Sequence, residues 1–490
     1  MKKVLGMGAI GVGVGALVLL CSYYGMGLAT EKMLKKNITA LNQKNGMAVV
    51  IQDYKRGWFR SHAELKWSMK SPQSSAPPQG HNTVMIPSTI YTFVMPLDIY
   101  HGPVMFVDAK PHFGLGYAQS TARLPAAFAH ELKETYDLTA GKLTYAIHIL
   151  VSYLNNTTIQ FFVSTYKLQA KKGNDYFQWL GLQTEIVVSS NKQRLQGDMA
   201  LEGFSWFKKD IEGIAGPVKT EYDMHQVLNE LYIGKVQVDV PTLTLFRKVQ
   251  GQSPQPVFRI VGAQIHSESD IKNGLFATTI SATAKELALG DRSYTNDALN
   301  ISLKNLDANV LAAMNRKIRD VQRSGNNQKP AVWLLMPDVP ALLSKGAQLT
   351  MSDFELTMLD GHVKADVQLS LPNEQMTNPF QLLQKINGES HLRVSETVVT
   401  KWLHAVIEKS MLQKATKQAQ TSVEKEAQPA TLNMADIETK TSAKVAEKKK
   451  EWIDSGVLVP DGQDYLILIK LDNGKLTING HAFSPALLTI

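Results

Sequence analysis

The sequence predicts an α+β protein, predominantly β. An N-terminal transmembrane helix is followed by an elongated, mainly antiparallel β-sheet domain with a few covering helices. Three observations predict it. The chain opens on a long uncharged apolar run, apolar and polar residues alternate over most of the remaining chain, and only a few stretches change to the helical period. The 490 residues give ample length for a core, and 44% hydrophobic against 20% charged residues is an ordinary globular balance.

Lys2 and Lys3 precede an uncharged run from Val4 to Ala29, and Lys32, Lys35 and Lys36 come after it. About 20 apolar residues cross a bilayer core as a helix, so residues 4–29 read as a membrane span, with Tyr23 and Tyr24 at interfacial positions. Gly27-Leu28-Ala29 has the small-x-small form of a cleavage site. The run exceeds the roughly 7–15 apolar residues of a cleaved signal, which favours an uncleaved signal anchor. Lysines at both ends leave the charge rule without a vote on orientation. A short basic start before one span and a large domain places that domain outside the cytoplasm. Gly6, Gly8 and Gly11 fit G-x-G-x-x-G, but no strand precedes them and no soluble helix comes after, so the dinucleotide reading fails.

Residues 30–46 continue as a juxtamembrane helix or linker, with Met33, Leu34, Ile38 and Leu41 on one face. Then the period becomes two. Met47 to Asp53 is a strand, and Ala63, Leu65, Trp67 and Met69 alternate with polar residues as a second. Ser71 to Gly80 reads as a polar, proline-rich loop. Alternating runs recur at Leu143–Ser152, Ile159–Tyr166, Leu180–Ser190, Leu195–Phe207, Val236–Phe246, Val257–Ser267 and Leu275–Leu287. Asp360-Gly361 and Asn473-Gly474 mark hairpins. Helices are expected at Tyr222–Tyr232, Val310–Val321 and, with an apolar stripe through Val399, Trp402, Leu403, Val406 and Ile407, at 397–418. Residues 419–450 are lysine- and glutamate-rich and read as a solvated helix or linker. The order is thus a cytoplasmic end (1–3), the anchor (4–29), the juxtamembrane segment (30–46), a β-rich envelope domain (47–396), an amphipathic helix (397–418), the charged tract (419–450) and a C-terminal hairpin returning to the β domain (451–490).

The net charge of +8 favours an anionic surface such as lipid, but it is scattered, and no nucleic-acid-binding signature accompanies it. The single cysteine, Cys21, lies in the apolar run, which rules out intrachain disulfides and cysteine-ligated metals in the domain and suits an oxidising compartment. No H-E-x-x-H, G-x-S-x-G or P-loop occurs. No catalytic residue, cofactor or metal is therefore expected.

Tyr54 to Ser61 reads YKRGWFRS, and His101-Gly102-Pro103 lies beyond the first strands. These segments resemble the Y-x-R-G-x-F-x-S and H-G-P motifs of the YdgA family of bacterial envelope proteins of unknown function. Pro340–Phe354 and Asn473–Ser484 are similar to later family segments. The resemblance implies a single-pass inner-membrane anchor with a large periplasmic domain. Long β-rich anchored chains are also similar in outline to the AsmA-like group, whose grooves carry lipid.

The motif residues Tyr54, Arg56, Gly57, Trp58, Phe59, Ser61, His101, Gly102 and Pro103 have two readings. In one, Arg56-Gly57 turns, the aromatics pack, and His101 caps or packs locally. In the other, Lys55, Arg56, Trp58 and Arg60 form a headgroup-binding edge. For the whole chain, one expectation is lipid, a phospholipid, held on an apolar sheet face. The other is a structural or interaction module for an envelope protein partner, using strand edges or the charged tract. The sequence carries no signal of oligomeric state.

Overall fold

The computed structural model describes residues 22–36, 38, 48–70, 90–123, 126–229, 231–248, 253–290, 292–324, 331–376, 378–423 and 434–483. The chain divides into two compact units, Met1–Pro256 with Ala312–Leu335 and Val257–Leu311 with Met336–Ile490. Most of the anchor predicted at 4–29 lies outside the described residues, as does the loop at Ser71–Gly80; residues 22–29 are helical. Among the described residues no helix is long and apolar enough to cross a membrane.

The first described element of the first unit is helix α1 (residues 22–36). Strands β1 (Ala48–Lys55), β2 (Arg60–Lys70) and β3 (Ile90–His101) then pair in sequence order, all antiparallel. Their alternation places Val49, Leu65, Met95, Leu97 and Ile99 on one buried face, against which Leu34 and Ile38 pack. Each fully buried side chain of this size is worth about 1.5–3 kcal/mol. β4 (Val104–Val107) and β5 (Lys110–Phe113) form a separate hairpin, and β6 (Gly116–Arg123) returns to pair with β3.

After α2 (Ala126–Thr135) the chain runs as a meander of long strands, most of them broken once near the middle. The halves are β7 (Tyr136–Gly141) and β8 (Thr144–Val151), β9 (Thr157–Val163) and β10 (Tyr166–Ala170), β11 (Tyr176–Trp179) and β12 (Leu182–Val188), β13 (Arg194–Leu201) and β14 (Phe204–Lys208), and β15 (Ile211–Ala215) and β16 (Val218–Leu228). β17 (Leu231–Arg247) closes it, pairing with β16 through its first half and with β15 through its second. β8 pairs with β6, so one antiparallel ladder joins β1 to the meander. Backbone bonds cross the line of breaks, among them Leu180 N–H to Gly203 O and Glu202 N–H to Gly181 O, both 3.0 Å. Gly181 and Gly203 hold φ of +126° and +115° there, a region that disfavours any side chain.

The helix expected at Tyr222–Tyr232 is a strand pair instead. Val218–Leu228 is β16, and β17 begins at Leu231. Tyr222 and Met224 lie on the opposite side of the strand from Asp223 and His225, and this alternation, paired on both edges, overrides the helical spacing.

In the second unit β18 (Gln255–Lys272), β19 (Leu275–Leu289) and β20 (Arg292–Asp307) form a long antiparallel meander. Helices α3 (Ala308–Ser324) and α4 (Ala331–Leu335) come after β20 in the chain. After α5 (Val339–Leu343), β21 (Gln348–Met358) and β22 (Gly361–Ser370) extend the sheet from β20. After α6 (Pro379–Lys385), β23 (Asn387–Ser395) pairs with β22, and beyond two long helices β25 (Asp464–Asp472) pairs with β23. β24 (Val459–Asp461) and β26 (Lys475–Ile478) flank β25, and β27 (His481–Ala482) pairs with β26.

The Asn473-Gly474 hairpin forms with both residues at positive φ. The other hairpin turns one residue early, because Met358 pairs with Gly361. Gly361 is required by packing: a Cβ there would sit 2.6 Å from that of Ser395.

The two long helices are α7 (Glu396–Val423) and α8 (Met434–Asp454). α7 packs on β22 and β23, and its Val399, Leu403 and Ile407 form a core with Val445 and Trp452 of α8 and Tyr465 of β25. The tract expected to be solvated therefore contributes, through α8, a buried face on which Thr441 is fully enclosed. Its lysines and glutamates occupy the other faces, which hides that stripe in the sequence.

Gly203→Ala is expected to destabilise the first unit by about 1–3 kcal/mol, from positive φ and from a Cβ 2.5 Å from the Ala215 carbonyl oxygen. Gly173→Ala, at a turn with open space around it, is expected to cost less. Urea unfolding of the two variants compares them directly.

Candidate functional site

The motif residues converge on α1. Their two segments are the β1–β2 turn and the end of β3, which the β2–β3 register brings together by pairing Ser61 with Ile99 and Arg60 with Tyr100. Tyr23, Gly27, Glu31, Leu34 and Ile38 recur at helical spacing along the packed face of α1. Each meets a different part of the motif or the core below it.

At the start of α1 the Tyr23 hydroxyl donates to the Val104 carbonyl at 2.7 Å, and its ring meets Phe59 edge-on at 4.9 Å. Tyr24 packs on Trp58 with centroids 5.2 Å apart. One turn on, the His101 ring occupies the space a side chain at residue 27 would fill, since a Cβ on Gly27 would lie 3.3 Å from it. A further turn brings Glu31 to Arg56, whose Nε donates at 3.0 Å and whose Nη2 also bonds the carboxylate. Lys35 donates to the other Glu31 oxygen at 2.7 Å.

His101 is 1% exposed, as is Ser61, and its Nε2 lies 2.8 Å from Ser61 Oγ. Its backbone N–H donates to the Phe59 carbonyl at 2.9 Å. Gly102 N–H donates to Leu115 O at 3.1 Å, and a Cβ on Gly102 would fall 1.7 Å from the Gly114 carbonyl oxygen, so only glycine fits. The Gly102–Pro103 peptide is cis, and the Pro103 carbonyl accepts from the Tyr153 hydroxyl at 2.5 Å. At Gly57 a Cβ would collide with the Arg60 carbonyl oxygen. Tyr54 packs against the core of the first sheet. Trp58 and Phe59 stay largely exposed.

The charges obey this packing. Hydrogen bonds from Lys35 and then Arg56 hold the Glu31 carboxyl below its usual range, and Glu31 raises Arg56 in return. Burial, reinforced by the Arg56 charge, lowers the His101 pKa and keeps the ring neutral. Burial also raises the Tyr54 hydroxyl. Beside the clamp, burial works against the Asp98 carboxylate, but bonds from His62 and Arg60 outweigh it and its pKa falls.

The Ser61–His101 contact has the residue types of a hydrolytic pair and neither of its requirements. His101 Nδ1 is buried without a hydrogen-bond partner, so no acid orients the ring, and both side chains are sealed from substrate. Among the described residues no group of histidine, cysteine, aspartate or glutamate is placed to hold a metal. The arrangement does mechanical work: it clamps the helix that continues the apolar N-terminal segment. A sequence profile of bacterial proteins of unknown function, DUF945, matches residues 1–486, which takes in the whole clamp. The chain belongs to DUF945. No curated protein matches it.

This DUF945 chain carries a second feature that its sequence shows only in outline, an apolar face on the meander. Across β8, β9, β12, β13, β16 and β17 the register rows on one side are mainly apolar, interrupted by Gly197, Thr184 and Thr220. Ile149, Ile159 and Ile186 are one row, and Ile147 and Phe161 begin the next. The opposite face carries His148, Gln160, Glu185, Asp198 and Glu221. Past the breaks Tyr166, Trp179 and Phe204 make a row of rings 6.5 Å and 6.4 Å apart. From Thr144 to Leu228 Ala215 alone among the apolar side chains is buried; the rest of this face is half-exposed.

In the second unit a hollow of about 320 Å³ opens beside α7, lined by Met358, Leu359, Val398 and Trp402 together with Arg292 and Lys401. Lys401 is paired with Asp360.

Sequence reasoning missed Tyr23, Gly27 and Glu31 as partners of the motif. Their four-residue spacing is the available signal, and the membrane-span reading absorbs it.

Gly27→Val is expected to push α1 off His101 and cost about 1–3 kcal/mol, seen as faster proteolysis after residue 36 and a lower unfolding midpoint. Protonation supplies a second check. The folded His101 pKa lies below the 6.5 of the free side chain, so the unfolded chain takes up a proton that the folded one refuses. This contribution to stability is complete above that value and is lost as pH falls below it, until the folded ring protonates. His101→Asn should therefore show a shallower fall in urea midpoint between about pH 7.5 and 5.5 than the parent chain.

Proposed function

We propose that this DUF945 chain is anchored in the bacterial inner membrane by its N-terminal apolar segment, holds its β units in the periplasm, and binds the acyl chains of a phospholipid on the apolar face of β8 to β17. The carrying observation is that half-exposed face. A globular core seals such side chains, as the first sheet does with Leu65, Leu97 and Ile99. Here isoleucines, valines and aromatics line six strands and remain partly open, an arrangement that further apolar contact would stabilise by about 25 cal/mol per Å². The likeness of the Tyr54–Ser61 and His101–Pro103 segments to anchored YdgA-type envelope proteins supports the location.

The alternative, a structural or interaction module that holds an envelope partner through strand edges or residues 419–450, draws less support from that tract. α8 spends Val445 and Trp452 on packing with α7.

Photocrosslinking tests the proposal. The full chain would carry benzoylphenylalanine in place of Phe161 or Ile186 on the apolar face, or of Glu185 on the polar face, and would be irradiated in membranes. Phospholipid adducts at Phe161 and Ile186 and none at Glu185 are expected by mass spectrometry. Equal adducts at all three, or none at any, would sink the lipid-binding face.

A further inference from the structure

Exposed aromatic and aliphatic side chains scattered singly over a surface need no explanation; a contiguous set does. Around the start of α1 three separate turns bring such residues together. Trp58 and Phe59, 56% and 53% exposed, come from the β1–β2 turn. Phe106 and Phe113, 70% and 60% exposed, come from the β4–β5 hairpin. Tyr153 and Leu154, 52% and 78% exposed, come from the turn between β8 and β9. All three are tied to one place. Trp58 and Phe59 contact Tyr24 and Tyr23 of α1, the Tyr23 hydroxyl bonds the Val104 carbonyl in β4, and the Tyr153 hydroxyl bonds the Pro103 carbonyl one residue earlier.

The β4–β5 hairpin carries apolar side chains on both of its faces. Its inner face is apolar as expected, with Met105 and Val107 buried against Tyr117. Its outer face, where Phe106 pairs across from Pro111 and Val104 from Phe113, is apolar too. A two-stranded hairpin on a protein surface ordinarily turns polar residues to water. Asp108 and Lys110, its charged residues, fall at the tip and not among the outward rings.

We propose that these six side chains form a collar that lies on the bilayer, seated at the level of the phospholipid headgroups and upper acyl chains. The occupant is set by where the collar sits. It lies beside Tyr23 and Tyr24, which belong to the uncharged run Val4–Ala29. A surface at the base of an apolar anchor meets lipid before anything else. Tryptophan, tyrosine and phenylalanine are the side chains that favour that depth. The clamp on α1 then fixes the angle between the anchor and the first sheet, so that the collar faces the membrane squarely. The proposal rests on the anchor reading and is independent of the lipid-binding face.

The test uses the full chain with Cys21→Ser and one new cysteine at Phe106, Phe113 or Leu154, or beyond the line of breaks at Lys172 in a turn or Lys208 at the end of β14. Each is labelled with a polarity-sensitive fluorophore. The chains are reconstituted in vesicles of phosphatidylethanolamine and phosphatidylglycerol, with and without spin-labelled lipid. A blue shift and loss of emission are expected at the three collar sites, strongest with quenchers about 5–10 Å below the headgroups, and neither at Lys172 or Lys208. Unquenched collar labels on vesicle-bound protein would overturn the collar and leave the anchor standing. Equal quenching at all five sites would overturn it as well, since the unit would then lie flat. A chain that stays out of the vesicle fraction would overturn the anchor reading and the collar together.

Discussion

The His101 ring packs directly on Gly27, where even a Cβ would press on it at 3.3 Å, and α1 is seated on the first sheet through that close contact. The contact is a packing constraint with a polar interior. One imidazole nitrogen meets Ser61, and the other is buried without a partner, a cost that the surrounding contacts must offset. Neutrality makes it tolerable, because a charged ring beside Arg56 in a dry site would cost far more. The glycines of the motif serve the same end. Gly102 passes within contact of the Gly114 carbonyl and Gly57 within contact of that of Arg60, so the turns close around the ring without side chains in the way.

The clamp and the apolar face belong to one ladder. His101 pairs with Gly116 at the start of β6, and Gly116 pairs with Val151 at the end of β8. Val151 lies opposite Thr157, which lies opposite Val188, so the first row of the apolar face begins at the clamp. Displacing α1 would therefore act on the edge of that face through two paired strands and no intervening loop.

Much of the fold was legible in the sequence where one physical rule acted alone. β1, β2, β8, β12 and β19 track their alternation closely, and the stripe of Val399, Leu403 and Ile407 marks a real helix. Legibility failed where two rules overlapped. Ile159–Tyr166 and Leu195–Phe207 each read as one strand, yet each crosses a break at which the apolar positions change parity: Val163 is followed by Tyr166, and Leu201 by Phe204. Tyr222–Tyr232 has spacing that fits a helix and a strand, and neighbouring strands decided. Gly361 looked like a turn residue and proved to be a packing residue. The clamp was half legible: the nine motif residues stood out, but their common partner lay inside a segment whose hydrophobicity already had an explanation.

The distribution of sealed and open apolar surface separates structural from functional hydrophobicity. On their inward faces the first sheet and the α7–α8 layer bury Leu65, Leu97, Ile99, Leu403 and Trp452 almost completely, and these cores account for the stability of their surroundings. The face from β8 to β17 and the rings around α1 withhold the same residue types from such burial, at a cost in unrealised hydrophobic stabilisation. Natural sequences tolerate that cost where something else covers the surface. The open rows begin at Val151 and Thr157, on either side of the β8–β9 turn that carries the exposed Tyr153 and Leu154. Under the lipid-binding proposal, these rows are the surface an acyl chain would cover, and the sealed cores of the first sheet and the α7–α8 layer are what leave them free to be covered.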